Sequence, residues 1–415
     1  MAVIKPFIGI RPNKGKAARI AALPYDVYSR EEATKVVAAQ PESFLGIDRA
    51  ETNFSEEVDT YDERVYAKAK ELLWKRIENG DFMRDDKPCY YLYELTMNGR
   101  VQTGIVACAS IDDYTNNVIK KHENTREEKE IDRIRHVDIC SAQTGPIFLA
   151  YRSDDFIDEA IRVIKRDQEA EYDFTSEDGI RHRVFVIDDE GMVGFIKAAF
   201  SRINEIYIAD GHHRCASAVK VGMKRRAEKA NYTGEEEFNY FLSVLFQEHE
   251  LYIMDYNRVL KDLNGLTSEE FLAEISKRFE VAELDEKTDR YPEKKGTFTM
   301  YLDGKWYACQ IHKSDIPNDP VKSLDVSLLQ DLLLDPVLGI KDPKTDSRID
   351  FVGGIRGLEE LERRCGLDCK VAFAMYPTSI GELFKVADAG LLMPPKSTWF
   401  EPKLRSGLFI HEIEA

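Results

Sequence analysis

Residues 206–220, IYIADGHHRCASAVK, run from an apolar and aromatic triplet through Asp210 and Gly211 into small residues at helical spacing. That order predicts a strand, a tight polar turn and a helix. Ile206, Tyr207 and Ile208 suit a core strand, Asp-Gly punctuates the chain, and Ala216, Ala218 and Val219 fill a helix face that Gly222 is expected to close. Such a helix start is an anion site. Its first-turn amides lack intrahelical acceptors and carry the positive end of the dipole, so a phosphate can dock after Gly211 with His212, His213 and Arg214 beside it. Asp210 is the odd member: next to a phosphate, a carboxylate holds a metal, orients a hydroxyl or takes its proton, or else merely caps the helix.

The remainder of the chain repeats the mixture of strands and helices, which points to an α/β (mixed α+β) protein. Ser29, with Glu32 three residues on, predicts a capped helix after the loop Pro24-Tyr25-Asp26, a loop suited to line a pocket. A long amphipathic helix is expected over residues 55–79, ending at Gly80. Two apolar runs, 89–96 and 101–111, flank Asn98-Gly99 and read as a hairpin, because Asn-Gly tolerates positive φ. Further along come a helix over 268–279 capped by Ser268, a hairpin turning at Asp303-Gly304, and a surface connection or flap, DPKTDSRIDFVGG.

Two more stretches carry chemistry. In Lys120-Lys121-His122-Glu123-Asn124-Thr125-Arg126 the cations can neutralise phosphate oxygens, while His122 and Glu123 offer a base or a metal ligand at the mouth of a helix. The alternating charges beyond Arg126 are expected to be a solvated helix face. Thr144 and Gly145, before an apolar strand, can edge the same pocket. Near the end, Pro394 and Pro395 stiffen the backbone ahead of Lys396, Ser397 and Thr398, a trio able to aim an ammonium, amides and hydroxyls at a phosphate. No glycine-rich P-loop or dinucleotide fingerprint is present, so a bound nucleotide must use another design.

Asp210, Gly211, His212 and Arg214 fit the pattern D-G-H-x-R, and with the preceding Ile the stretch resembles the signature of the ParB/sulfiredoxin superfamily, particularly its free-serine kinases. LPYDVYSREEA, KKHENTREEK and MPPKSTWFEPKL resemble, over nearly the whole length, a prokaryotic family known only as a domain of unknown function. The resemblance implies a ParB/sulfiredoxin-like core with large additional α/β segments. It further implies phosphoryl transfer between ATP or ADP and a small hydroxyl metabolite, with serine and phosphoserine as the implied pair and the direction open: kinase, reverse transfer or phosphatase. Asp210 and His212 then serve catalysis, with Mg²⁺ expected on Asp210, and Glu123 joins them on its chemistry alone, since it does not align with the glutamate of the similar kinases. Gly211, His213, Arg214, His122, Arg126, Lys396, Ser397 and Thr398 hold phosphate or nucleotide. The alternative is a nucleotide-binding regulatory or scaffold protein that binds through the same turn without turnover.

Composition narrows the partners. The 415 residues, 43% of them hydrophobic, supply core for one large or two medium domains, and we expect a part over 1–230 carrying both motifs and a second over 231–415. A formal net charge of -17 repels nucleic acid, so the ParB resemblance does not imply DNA binding. The N-terminal apolar run is interrupted by Lys5 and Pro6, and no run has the length of a membrane span. Seven scattered cysteines suit reduced thiols and a cytoplasmic setting. A homo-oligomer is compatible with all of this.

Overall fold

The alternating apolar runs of the first half of the chain assemble into a nine-stranded sheet, seen in a computed structural model that describes residues 1–414. The protein is mixed α/β and divides into two units, Met1–Leu251 with the segment from Pro402 onward, and Tyr252–Glu401.

In the first unit the sheet begins at one edge with Ile119–Lys120. Ile206–Asp210, Ile147–Tyr151, Tyr240–Gln247, Arg100–Ser110, Tyr90–Met97, Arg181–Ile187 and Tyr172–Thr175 come next in that order, and Ile4–Lys5 pairs with Arg100–Ser110. Most neighbours are antiparallel. The expected hairpin forms, with Asn98 at φ 51° and Gly99 at φ 79°. Two pairings are parallel: Tyr240–Gln247 with Ile147–Tyr151, and Ile206–Asp210 with Ile119–Lys120. Strands paired in parallel run out at the same end of a sheet.

Helix Asp155–Asp167 covers the sheet with Ile157, Ala160, Ile161 and Ile164, the spacing of a single helix face, packed with Ile208, Leu149 and Phe200. Helix Arg30–Ala39 starts at the Ser29–Glu32 capping box as anticipated. The long helix expected from residue 55 is shorter, Glu63–Glu78, because the Asp62 carboxylate accepts the Arg64 N–H and caps it there. Helix His212–Glu228 runs through Gly222 instead of stopping at it. A Cβ on Gly222 would lie 2.4 Å from the Phe238 carbonyl oxygen, so the glycine serves close packing and not termination. Helix Glu127–Cys140 lies against it, with Ser217 Oγ donating to the Glu130 carbonyl at 3.1 Å.

The second unit is built on a six-stranded antiparallel sheet, Phe279–Glu283, Lys305–Ile311, Thr297–Leu302, Val371–Met375, Tyr256–Leu260 and Ile349–Gly353. Its last strand occupies part of the segment expected to be a surface connection, since Ile349, Val352 and Gly353 are buried and the strand pairs with Tyr256–Leu260. Thr267, not Ser268, caps helix Ser268–Ile275, through a capping box with Glu270. All seven cysteines are free, and among the described residues no helix is long and apolar enough to cross a membrane.

Candidate active site

The parallel register Ile206↔Ile119 and Tyr207↔Lys120 sends two chain segments off the same end of the sheet, so the residues after Lys120 meet those after Asp210. Two hydrogen bonds tie them. The His122 backbone N–H donates to His212 Nε2 at 3.5 Å, and the Arg126 N–H donates to His213 Nε2 at 2.9 Å. The rings of His122 and His212 meet edge to face with centroids 4.5 Å apart. His122, Glu123, Arg126, His212 and His213, from two stretches far apart in sequence, thus form one cluster.

Asp210 and Gly211 shape the turn between strand and helix. A β-bulge interrupts the register between Ile208 and Asp210, re-aiming the strand end as bulges beside functional sites commonly do. Gly211 then takes φ 90°, a left-handed conformation costly for any residue with a Cβ, and a Cβ there would also sit 3.0 Å from the Arg214 guanidinium. Gly211 offers no capping side chain, so the first-turn amides of this helix keep their capacity for an external acceptor. The carboxylate of Asp210, 36% exposed, lies 3.4 Å from Lys403 Nζ and 3.9 Å from Arg214 Nη2. Burial alone would raise its pKa; Lys403, Arg214 and His212 overcome that and hold the carboxyl well below its ordinary value. It is therefore ionised at neutral pH.

The histidines behave in the opposite sense. Burial pushes His122 down to about 4, against a hydrogen bond with the Ile208 backbone and the charge of Asp210. His212 is pushed well below its usual range by burial, with His122 adding to it, and His213 is lowered by burial and Lys129. All three rings are neutral at neutral pH. His122 Nδ1 is buried with no hydrogen-bond partner. One potential ligand atom from each of His122, Glu123 and His212 lies within 4.8 Å of the others, the one such group among the described residues.

The first unit also contains a cavity of about 170 Å³ lined by Tyr25, Asp48, Arg49, Asp132, Arg133 and His136. A smaller one shares Tyr25, Asp48, Arg133 and His136 and reaches Thr144, Gly145 and Arg214. The loop Tyr25 and the pair Thr144-Gly145 do line a pocket. The helix after Arg126 corrects its expectation, because Glu130, Asp132, Arg133 and His136 are buried while Ile131 is 43% exposed. Tyr66 donates to Asp132 at 2.9 Å, the Arg133 guanidinium lies 4.0 Å from the centre of the Tyr25 ring, and Thr144 donates to Asp48 at 2.8 Å. Positions 132, 133, 136 and 140 share a helix face. That spacing is present in the sequence, whereas the alternation of charge, read alone, points to solvent.

Lys403, which faces Asp210, lies inside the MPPKSTWFEPKL stretch but is not among the site residues expected from the sequence. It lies shortly beyond Lys396, Ser397 and Thr398. Those three belong to the second unit, where Ser397 Oγ donates to the Pro394 carbonyl at 2.7 Å, Thr378 donates to the Ser397 carbonyl at 2.9 Å, and Lys396 stands over the Tyr256 ring at φ 60°. These contacts of Lys396 and Ser397 are all made within the second unit.

The model of a family described as "Protein of unknown function (DUF1015)" matches residues 4–327. No curated protein matches the sequence. Among solved structures, a free serine kinase variant in complex with ADP is similar at 14% identity and a TM-score of 0.36, covering 75% of this chain and 93% of its own. A conserved hypothetical protein from Pyrococcus furiosus shares 16% identity at a TM-score of 0.34, with coverage of 75% and 95%. SbnI with a C-terminal truncation, from Staphylococcus aureus, shares 10% at 0.37, with coverage of 71% and 82%.

Proposed function

We propose that this chain, which belongs to the DUF1015 family, is a nucleotide-dependent phosphotransferase acting on a small hydroxyl metabolite. The observation that carries the reading is the placement of Asp210. An ionised carboxylate, flanked by Lys403 and Arg214, stands directly before a helix whose first-turn amides have no side-chain cap. Phosphoryl transfer asks chiefly for positioning and for charge neutralisation, and this turn offers both. The phosphate rests on the amides after Gly211, with Arg214 and Lys403 compensating its charge. Asp210 orients the hydroxyl and accepts its proton, assisted by Glu123 beside His212.

The cavity around Arg133 and Asp48 supplies both signs of charge, as an amino acid with its carboxylate and ammonium requires. Serine, suggested by the D-G-H-x-R resemblance, is the substrate we favour.

The test is to incubate the full chain with serine, ATP or ADP and a divalent cation, and to run the reverse with phosphoserine and ADP. Formation of phosphoserine or of ATP is expected, with Asp210→Asn abolishing transfer while nucleotide still binds. Binding without turnover in either direction, unaffected by Asp210→Asn, would favour a regulatory protein built on the same turn.

A further inference from the structure

We propose that His122, Glu123 and His212 bind a divalent transition ion of the Zn²⁺, Mn²⁺ or Co²⁺ class, in place of a Mg²⁺ ion centred on Asp210. The role of that ion in catalysis rests on the phosphotransfer reading; its binding does not.

The donor set is the first argument. Two imidazoles and one carboxylate suit borderline ions, whereas Mg²⁺ favours an all-oxygen octahedron and retains several waters. Asp210 is also a poor host for Mg²⁺, since its carboxylate already faces Lys403 at 3.4 Å and Arg214 at 3.9 Å, and both cations repel a third.

Geometry is the second. The three ligand atoms lie within 4.8 Å of one another. Ligands about 2.1 Å from a shared ion are separated by at most ~4.2 Å, so modest side-chain adjustment closes the shell. The two segments are held side by side by the Arg126–His213 and His122–His212 contacts.

The third is an unsatisfied atom. His122 is only 2% exposed, yet its Nδ1 has no partner. A buried polar atom is ordinarily hydrogen-bonded, and an exception calls for a missing ion or water. The ring also hydrogen-bonds the Ile208 backbone, the kind of outer contact that fixes the orientation of metal-ligating imidazoles. Glu123 is half-buried and gives the ion a way in from solvent. A bound ion would act as a Lewis acid toward a hydroxyl or phosphate oxygen.

The experiment uses the full chain, stripped with a chelator and titrated separately with Zn²⁺, Co²⁺, Mn²⁺ and Mg²⁺, with metal content read after gel filtration and cobalt binding read by its visible spectrum. We expect one equivalent of Zn²⁺ or Co²⁺ per chain, no comparable retention of Mg²⁺, and affinity lowered by at least ~100-fold in His122→Asn, Glu123→Gln and His212→Asn, more than outer contacts alone cost. Asp210→Asn should keep the metal. Because His122 and His212 are buried, Glu123→Gln is the decisive variant for folding, and each variant's thermal melt without metal is compared with wild type. Absence of Zn²⁺, Co²⁺ and Mn²⁺ uptake by the folded wild type, or uptake unchanged by Glu123→Gln, overturns the proposal. Metal uptake without phosphotransfer leaves the site standing and removes the enzymatic reading, while transfer supported by Mg²⁺ alone does the reverse.

Discussion

The backbone N–H of Arg126 donates to Nε2 of His213 at 2.9 Å, so a residue at the mouth of one helix is fastened to the first turn of another. As an acceptor, Nε2 is unprotonated, which puts the ring proton on Nδ1 and keeps His213 neutral. This bond, with that of His122 to His212, sets the distance between the two motifs. In His213→Ala water can replace the lost acceptor, since Arg126 is exposed, and the stability change should stay below ~1 kcal/mol. Amide exchange over residues 121–126 should nevertheless quicken several-fold and the apparent substrate KM should rise. Unaltered exchange protection there would show that the bond does not hold the loop.

Asp210→Asn is expected to lower the rate of phosphotransfer by ~10²–10⁴-fold, the usual contribution of a positioned proton acceptor. Lys403→Met should act more subtly. Losing the nearest ammonium raises the carboxyl pKa, so the acidic limb of the pH–rate profile moves to higher pH while the plateau is reached at neutral pH. An acidic limb that does not move would separate Lys403 from the carboxyl it faces.

Acid should destabilise the first unit through its buried histidines. His122 is lowered to about 4 by burial, and His182 to about 3 by burial and Arg405, from 6.5 in the unfolded chain. The unfolded state therefore binds more protons between pH 6.5 and these values. Stability is fully present above pH 6.5 and falls as the pH drops, by ~1.4 kcal/mol per pH unit for each ring. Denaturant unfolding between pH 7 and pH 4.5 checks this, and His182→Gln should flatten the slope.

Two glycines separate strain from function. Gly211→Ala meets a left-handed φ of 90° and the Arg214 guanidinium, and should cost ~1–3 kcal/mol while displacing the first-turn amides, so phosphate affinity falls with stability. Gly222→Ala clashes with the Phe238 carbonyl and should cost a similar ~1–3 kcal/mol through overpacking. It lies well along the helix from the turn, and its folded fraction should keep wild-type KM. Ligand titrations alongside melts distinguish the two.

Arg133→Met should be more damaging than its position on a charged helix suggests. Its guanidinium donates to Asp132 at 2.8 Å, and both residues are buried. Removing one partner strands the other charge, at a cost of ~3–5 kcal/mol. Arg133→Lys keeps the charge but not the planar fork, so it should retain most stability while raising the KM for an amino-acid substrate. Equal KM values for Arg133→Lys and wild type would take the cavity out of substrate binding.

Local chemistry is legible in the linear sequence wherever a structural cause is local. The strand, turn and helix around Asp210-Gly211, the Asn98-Gly99 hairpin and the Ser29–Glu32 cap each arise from residues within a few positions of one another. Helix ends are less legible, because Asp62 and Thr267 compete with other polar residues as caps. Which distant groups share a space depends on long-range pairing that no local pattern encodes. The parallel pairing of Ile206–Asp210 with Ile119–Lys120 brings His122 and Glu123 to His212, and the returning tail brings Lys403 to Asp210. The same holds for the buried face of Asp132, Arg133 and His136: alternating charge marks a helix as polar, but only its neighbours determine which of those charges are withdrawn from water.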